Sequence, residues 1–248
     1  QGWEPLLSYG NNDSDDTAVY MSNCGAVAAS GDGTIIVASQ TSGDITWSTD
    51  DGASWHKEER YWEDENLNDG YSFYYMLNLV AADGSYFGAG SKIDEPPVFF
   101  TPSSHSAGDF YNFEAIIIDD TAMGEIWGLA TPDDGSTWLA GGRDQDTTSV
   151  ASGFLYRSTD SGQSWESLSL SEEIDVIHDI EFSDDGQRGV AVGHRYPTSK
   201  GGFVLLTADG GETWSEADSP GAPLLYTAAV SGDVFWIAGD GYLAEGRF

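Results

Sequence analysis

The sequence predicts an all-β fold built from five similar antiparallel units. Its 248 residues include 31 glycines, 9 tryptophans and 12 tyrosines, and no long segment has the periodicity of an amphipathic helix. Glycine allows the backbone conformations of tight turns, and aromatic side chains suit the half-buried faces of strands. The composition therefore favours many short strands, and two internal repeats divide those strands into units.

The first repeat is a strand-like segment that recurs about every 50 residues, a length typical of repeat folds. Its five copies are TIIVAS, SYFGAG, TWLAGG, RGVAVG and VFWIAG, with shared alanines at Ala38, Ala89, Ala140, Ala191 and Ala238. A DG pair precedes four of the copies, as expected for hairpin turns. Each unit therefore contains a hairpin whose second strand carries the alanine.

The second repeat is the motif SxDxGxxW. Its three good copies are Ser48, Asp50, Gly52 and Trp55; Ser158, Asp160, Gly162 and Trp165; and Thr207, Asp209, Gly211 and Trp214. A degenerate copy, TPSSHSAGDF, ends at Phe110, and Trp3 matches the closing aromatic position. In such a turn the aspartate can accept backbone N–H groups, the glycine takes dihedrals closed to other residues, and the tryptophan fills space between units.

These residues resemble the Asp-box, or bacterial neuraminidase repeat, of sialidases, sortilin-like receptors, some endoglucanases and photosystem II assembly factors. The resemblance covers nearly the whole chain and implies a β-propeller in which the box joins the third and fourth strands of a blade. It also implies that the boxes lie on the face away from the usual binding site. A further match, TPDDGSTW at 131–138, is in register with the DG turns. We predict that it joins the first and second strands of its blade.

We predict one domain over residues 1–248, a five-bladed β-propeller of four-stranded antiparallel blades with Asp-box turns. The predicted blades span about 23–60, 72–115, 124–170, 176–217 and 224–248. The last blade lacks a fourth strand at its carboxyl end, whereas Trp3 begins a strand with no blade before it. We therefore expect residues 1–10 to complete the last blade and close the ring, which removes exposed sheet edges.

The charge is strongly negative, with 42 Asp and Glu against 9 Lys and Arg and a formal net charge of −33. Such a surface repels phosphate groups, which excludes nucleic acid and anionic membranes as expected partners. No apolar stretch approaches the roughly 18 residues that span a bilayer, so no membrane insertion is expected. The start of the chain does not resemble a signal peptide, and we expect an extracellular or periplasmic protein whose signal has been removed.

The expected binding face carries the loops that join neighbouring blades and the loops that join second to third strands. Lys92, Arg143 and His194 occupy equivalent positions just past the shared alanines, and Arg195 and Tyr196 follow His194. This group of cations could bind a carboxylate or a sulfate, with arginine as a fork-shaped donor. Alternatively, these cations pair with acids of their own loops, namely Asp94, Glu95 and Asp144.

Two further sets of side chains are candidates for the same face. His178 could line the central channel beside Glu125, either as an acid–base pair or as part of a hydrogen-bonded inner ring. Trp62 and Tyr226 could stack on sugar rings or pack between blades. In the loop NNDSDD, the alternating Asp13, Asp15 and Asp16 could bind calcium. Alternatively, that loop is simply solvated, because acidic clusters arise freely in so acidic a chain.

The motifs GxSxG, HExxH and CxxC and the glycine-rich phosphate-binding loops are absent from the sequence. We therefore predict a non-catalytic binding module that recognises a glycan or a protein ligand. One alternative is a sialidase-like glycoside hydrolase, with Arg143 and Arg195 as two of its three arginines and Tyr196 as nucleophile. Another is an assembly or scaffold factor. The resemblance supports all three, because a fold does not determine a function.

Overall fold

A computed structural model describes residues 24–30, 33–39, 45–58, 75–83, 85–91, 96–102, 113–144, 152–218 and 221–248. These residues form 19 β-strands and a single 3-10 helix of three residues, Thr198–Lys200. The all-β prediction is therefore confirmed. In this part of the chain no helix has the length and apolar character needed to cross a membrane.

The strands form antiparallel sheets in which neighbours along the chain are neighbours in the sheet. The first two sheets contain β1 (Cys24–Ala29), β2 (Ile35–Ser39), β3 (Ile45–Ser48) and β4 (His56–Glu58), then β5 (Tyr75–Ala82), β6 (Ser85–Ser91), β7 (Val98–Pro102) and β8 (Phe113–Ile117). The next two contain β9 (Gly124–Ala130), β10 (Trp138–Asp144), β11 (Gly153–Ser158) and β12 (Glu166–Ser167), then β13 (Ile174–Phe182), β14 (Gly189–Arg195), β15 (Gly202–Thr207) and β16 (Ser215–Glu216). The last contains β17 (Leu225–Ser231), β18 (Val234–Gly239) and β19 (Tyr242–Arg247).

Four of these sheets have four strands, as the sequence predicts, and the last has three. The segment 1–10, which we expect to supply its fourth strand, lies outside the described residues, as does most of the degenerate motif ending at Phe110. Completion of the last sheet and closure of the ring therefore remain predictions.

The core is divided into wedges between consecutive sheets. One wedge joins the second and third sheets and includes Phe99, Ile126 and Trp138, all fully buried. The next joins the third and fourth sheets around Leu139 and Ile177. A further wedge joins the fourth and fifth sheets, and its members include Val190, Val192, Leu225 and Ile237. The third and fourth sheets are therefore stabilised by burying apolar side chains against a neighbouring sheet on both sides.

Small residues on the second strands let the sheets pack closely. Ala89, Ala140 and Ala191 have no exposed surface. A Cβ atom on the adjacent Gly141 would lie 2.6 Å from Cγ2 of Ile177 in the next sheet. The recurrent alanine is thus a consequence of close packing, because a larger side chain would force neighbouring sheets apart.

The three SxDxGxxW copies form the same hydrogen-bonded turn between third and fourth strands. In the second copy, the Asp160 carboxylate accepts hydrogen bonds from Ser158 Oγ at 2.8 Å and from Ser164 N at 2.8 Å. Gly162 N donates to Ser158 Oγ at 2.9 Å, and Trp165 Nε1 donates to the Gly162 carbonyl at 3.0 Å. The copies at Asp50 and Asp209 repeat these contacts.

The match at 131–138 joins β9 to β10, so its predicted position between first and second strands is confirmed. The match nevertheless has the same local structure as the boxes. Asp133 accepts a hydrogen bond from Thr137 N at 2.6 Å, Gly135 N donates to Thr131 Oγ1 at 2.7 Å, and Trp138 Nε1 donates to the Gly135 carbonyl at 2.9 Å. These contacts depend only on residues within the motif, so the same turn forms wherever a hairpin can accept it.

The first strands of consecutive sheets pack side by side, in the order β1, β5, β9, β13 and β17. The strand pairings skip Leu77, Trp127, His178 and Tyr226, which places a β-bulge at a similar level in each of β5, β9, β13 and β17. A bulge leaves one residue unpaired and changes the direction of its side chain. The bulges therefore determine which side chains gather at the centre of the molecule.

Candidate functional site

The second strands end, and the first strands begin, at the edge of the sheets opposite the box turns. Arg143 lies near the end of β10 and His194 near the end of β14, in adjacent sheets. Their predicted equivalence is thus reflected in their strand positions. The third member of the predicted set, Lys92, lies outside the described residues.

Arg143 and His194 approach the same buried acid, Asp175. This residue is skipped by a second bulge in β13 and is only 3% exposed. Arg143 Nε lies 3.8 Å from Asp175 Oδ1, and His194 Nε2 lies 3.4 Å from Asp175 Oδ2. The carboxylate therefore bridges the boundary between the third and fourth sheets.

His178 continues this polar chain toward the centre of the molecule. Its Nε2 atom lies 3.2 Å from His194 Nδ1. Its ring centroid lies 5.9 Å from that of Trp127 and 5.1 Å from that of Tyr226, both nearly perpendicular to it. We call Arg143, Asp175, His178 and His194, with these two flanking aromatic rings, the rim cluster.

Burial favours the uncharged form of both histidines of the rim cluster. Burial, together with the neighbouring His194, lowers the pKa of His178 to about 4. Burial also lowers the pKa of His194, where Asp175 acts in the opposite direction and Arg143 in the same direction. A neutral imidazole carries one N–H donor and one acceptor nitrogen, so each ring can pass a hydrogen bond along the chain.

Arg195 and Lys200 point to partners other than the rim cluster. The Arg195 guanidinium donates to the Gly202 carbonyl and to the Glu216 carboxylate, and it lies 5.8 Å above the Phe203 ring. Lys200 Nζ lies 2.9 Å from Glu173 Oε1. Both cations are therefore engaged within the fourth sheet and the loop before it.

Two sequence expectations differ from these contacts. Trp127, rather than Glu125, packs against His178, because the bulge in β9 leaves Trp127 unpaired; Glu125 pairs with Arg143 in the β9–β10 register. His178 lies in the middle of β13. The acid that contacts both Arg143 and His194 is Asp175, a residue outside the predicted set.

A signal for Asp175 and His178 was present in the sequence. The strand IDVIHDIEF carries polar residues at 175, 178 and 179, which breaks the alternation expected of a regular strand. Such a break indicates a bulge, and bulges are frequent beside functional sites. The sequence did not show which partners these side chains would meet across the sheets.

The remaining candidates lie elsewhere. Tyr196 is 40% exposed beside Arg195. Trp62 and the predicted calcium ligands Asp13, Asp15 and Asp16 lie outside the described residues. Within the part of the chain that the structure does describe, no group of three His, Cys, Asp or Glu side chains is arranged to hold a metal ion. The calcium site therefore stays a prediction.

No protein-family model and no curated protein matches the sequence. Solved β-propeller structures are similar in fold. YCF48 from Cyanidioschyzon merolae superposes with a TM-score of 0.60 at 16% identity, over 96% of this chain and 70% of that one. An ancestral GH74 enzyme gives a TM-score of 0.59 at 19% identity, over 88% of this chain. The chain spans only 27% of the length of that enzyme. At these identities the likeness concerns the fold alone: this chain has a β-propeller fold.

Proposed function

We propose that the chain is a five-bladed propeller of the Asp-box type that acts as a non-catalytic binding module in an extracellular or periplasmic setting. Its ligand, a glycan or a protein segment, binds at the rim cluster. The box assignment is supported by the hydrogen bonds shared by the turns at Asp50, Asp160 and Asp209. Completion of the fifth blade by residues 1–10 is supported by the three-stranded sheet that ends at β19.

The observation that carries the binding proposal is the convergence of Arg143 and His194 on buried Asp175. The Oδ1 atom of Asp175 is buried and has no hydrogen-bond partner among the described residues, although Arg143 Nε is 3.8 Å away. Leaving a buried polar atom unpaired costs about 1 to 3 kcal/mol. Apolar side chains would fill the same boundary between sheets at lower cost, so stability does not explain the cluster.

The chemistry of the rim cluster favours binding over hydrolysis. Glycoside hydrolases typically need two carboxyl groups roughly 5 to 9.5 Å apart on either side of the scissile bond. The rim cluster contributes one carboxylate, and that carboxylate is buried and contacts His194. Its exposed groups are the Arg143 guanidinium, with 44% of the side chain accessible, and the Tyr226 ring, with the residue 42% exposed. Cations and aromatic rings of this kind are typical of binding surfaces.

The proposal is tested by screening wild-type protein against glycan and peptide arrays at physiological salt and measuring the affinity of each hit by calorimetry. Arg143→Ala should weaken binding about tenfold or more, because a hydrogen bond from a charged group contributes about 1.5 to 3 kcal/mol. Arg188→Ala is the matched control. It removes the same charge from a side chain that pairs with Asp185 and Asp233 near the box turns, and its affinity should match wild type.

Failure to bind any glycan or peptide, or equal affinities for wild type and Arg143→Ala, would contradict the proposal. Two further assays address the alternatives. Release of fluorophore from sialyl or neutral glycosides, lost in Arg143→Ala, would favour a glycoside hydrolase. Co-purification of one partner at fixed stoichiometry, without glycan binding, would favour an assembly factor.

A further inference from the structure

We infer that Asp175, His194 and His178 form a hydrogen-bond relay that leaves His178 Nδ1 as an acceptor, and that this atom receives a hydroxyl group of a neutral saccharide. The inference rests on the proposed function and names the ligand class of the same site. It concerns proton positions within the rim cluster, which can be measured without any ligand.

The direction of the relay follows from counting donors and acceptors. The Asp175 carboxylate accepts hydrogen bonds, so the nitrogen facing it, His194 Nε2 at 3.4 Å, carries the hydrogen. A neutral imidazole has one N–H group, so His194 Nδ1 is an acceptor. His178 Nε2, 3.2 Å from that atom, must therefore be the donor. Its own Nδ1 is left with a lone pair and no hydrogen.

The acceptor at His178 Nδ1 is available to a ligand. No hydrogen bond joins this atom to any of the described residues. The atom is not fully buried, unlike the unpaired Oδ1 atom of Asp175. His178 itself is partly exposed. The bulge that leaves His178 unpaired in β13 places its ring between Trp127 of β9 and Tyr226 of β17. A ligand group that donates to Nδ1 would therefore lie close to two aromatic side chains.

The charges around this acceptor select against ionic ligands. A carboxylate or sulfate would face a lone pair, the nearby Asp175 and a chain of formal charge −33. A lysine or arginine side chain would face the exposed guanidinium of Arg143 at the outer end of the cluster. A neutral sugar avoids both conflicts, because it offers hydroxyl donors for His178 and C–H faces that pack on aromatic rings. The proposal therefore favours a neutral ligand over the carboxylate or sulfate considered from the sequence.

The relay is tested by nitrogen-15 NMR of the imidazole rings at pH 7. In wild type we expect both His178 and His194 to carry hydrogen on Nε2. In Asp175→Asn the amide can donate to His194 Nε2, which reverses the relay, and His178 should then carry hydrogen on Nδ1. A wild-type spectrum with His178 charged or protonated on Nδ1 would overturn the inference, and a reversed His178 tautomer in Asp175→Asn would support it.

The ligand class is tested with cellotetraose, xylotetraose and mannotetraose as neutral probes, tetragalacturonate as the anion and tetralysine as the cation. At least one neutral sugar should bind, more tightly than either charged probe. His178→Asn keeps an oxygen near the position of Nδ1, whereas His178→Gln places its amide near Nε2. Loss of one hydrogen bond predicts that His178→Gln weakens binding about tenfold relative to His178→Asn.

Equal affinities for the two His178 variants, or tighter binding of a charged probe, would overturn the inference. If Arg143→Ala still abolished binding in that case, the binding module would stand and only the ligand class would fall. If none of these probes bound and the arrays also returned nothing, both proposals would fail. Thermal unfolding of each variant identifies any loss of binding that comes from loss of the fold.

Discussion

Gly162→Ala should destabilise the protein much more than Gly232→Ala. Gly162 has a φ of +83°, and an added Cβ atom would lie 2.2 Å from Cε1 of Phe99. Phe99 is fully buried in the second sheet, with its ring centroid 5.1 Å from that of Trp138 and 5.3 Å from that of Trp165. Gly232 has a φ of +59°, but a Cβ atom there would contact nothing within 4 Å.

The magnitudes follow from these two geometries. A left-handed backbone costs a non-glycine residue about 1 to 2 kcal/mol, and forcing extra atoms into a packed core costs about 1 to 3 kcal/mol more. We therefore expect Gly162→Ala to lose roughly 2 to 5 kcal/mol and Gly232→Ala about 1 kcal/mol. In a chain of this size each kcal/mol shifts Tm by about 2 to 4 °C.

The measurement is urea unfolding followed by tryptophan fluorescence, with Tm from calorimetry as a second readout. If the contact with Phe99 causes the extra loss, Gly162→Ala should cost less in a Phe99→Leu background, which removes the ring. Equal losses for Gly162→Ala and Gly232→Ala, or no relief from Phe99→Leu, would refute the assigned packing of the box turn against the neighbouring sheet.

Two further outcomes are expected. The folded protein disfavours protonated His178, because the pKa of this residue is lowered from 6.5 to about 4. The stability that neutral His178 contributes is therefore present above pH 6.5 and is lost as pH falls toward 4. For this partly exposed ring the loss in free energy of unfolding should be about 1 to 2 kcal/mol. In urea unfolding between pH 7 and pH 4.5, the stability of His178→Gln should therefore decline less steeply than that of wild type, and parallel declines would contradict the prediction. Asp133→Ala and Asp160→Ala should lower Tm by similar amounts, because the two carboxylates accept the same hydrogen bonds in equivalent turns. A negligible effect of Asp133→Ala alone would show that the contribution of the turn to stability depends on its position in the sheet.

The strand order within each sheet could be predicted because its determinants are local. The hydrogen bonds of the box at Asp160 all lie between residues 158 and 165, so a short motif is sufficient to specify the turn. For the same reason 131–138 adopts that turn although its place in the repeat differs. The register of the repeat predicted the position of this turn, and the local pattern determines its hydrogen bonds.

The candidate site could be predicted only in part. Counting from the shared alanines placed Arg143 and His194 at the same level of adjacent sheets, and both now lie beside Asp175. Arg195 follows His194 directly, yet it pairs with Glu216 within its own sheet. The repeat gives the height of a residue along the strand, but it does not give the direction of a long side chain or the partner across the boundary.

The sequence by itself determined the all-β class, the four-stranded repeat and the turn chemistry, because each depends on residues close together along the chain. Only the tertiary structure decided that Trp127, His178 and Tyr226, from three different sheets, lie together at the centre. Bulges in three first strands bring them there. A bulge is a feature of local strand pairing that changes the direction of one side chain. The residues that this side chain then contacts depend on which sheet packs alongside.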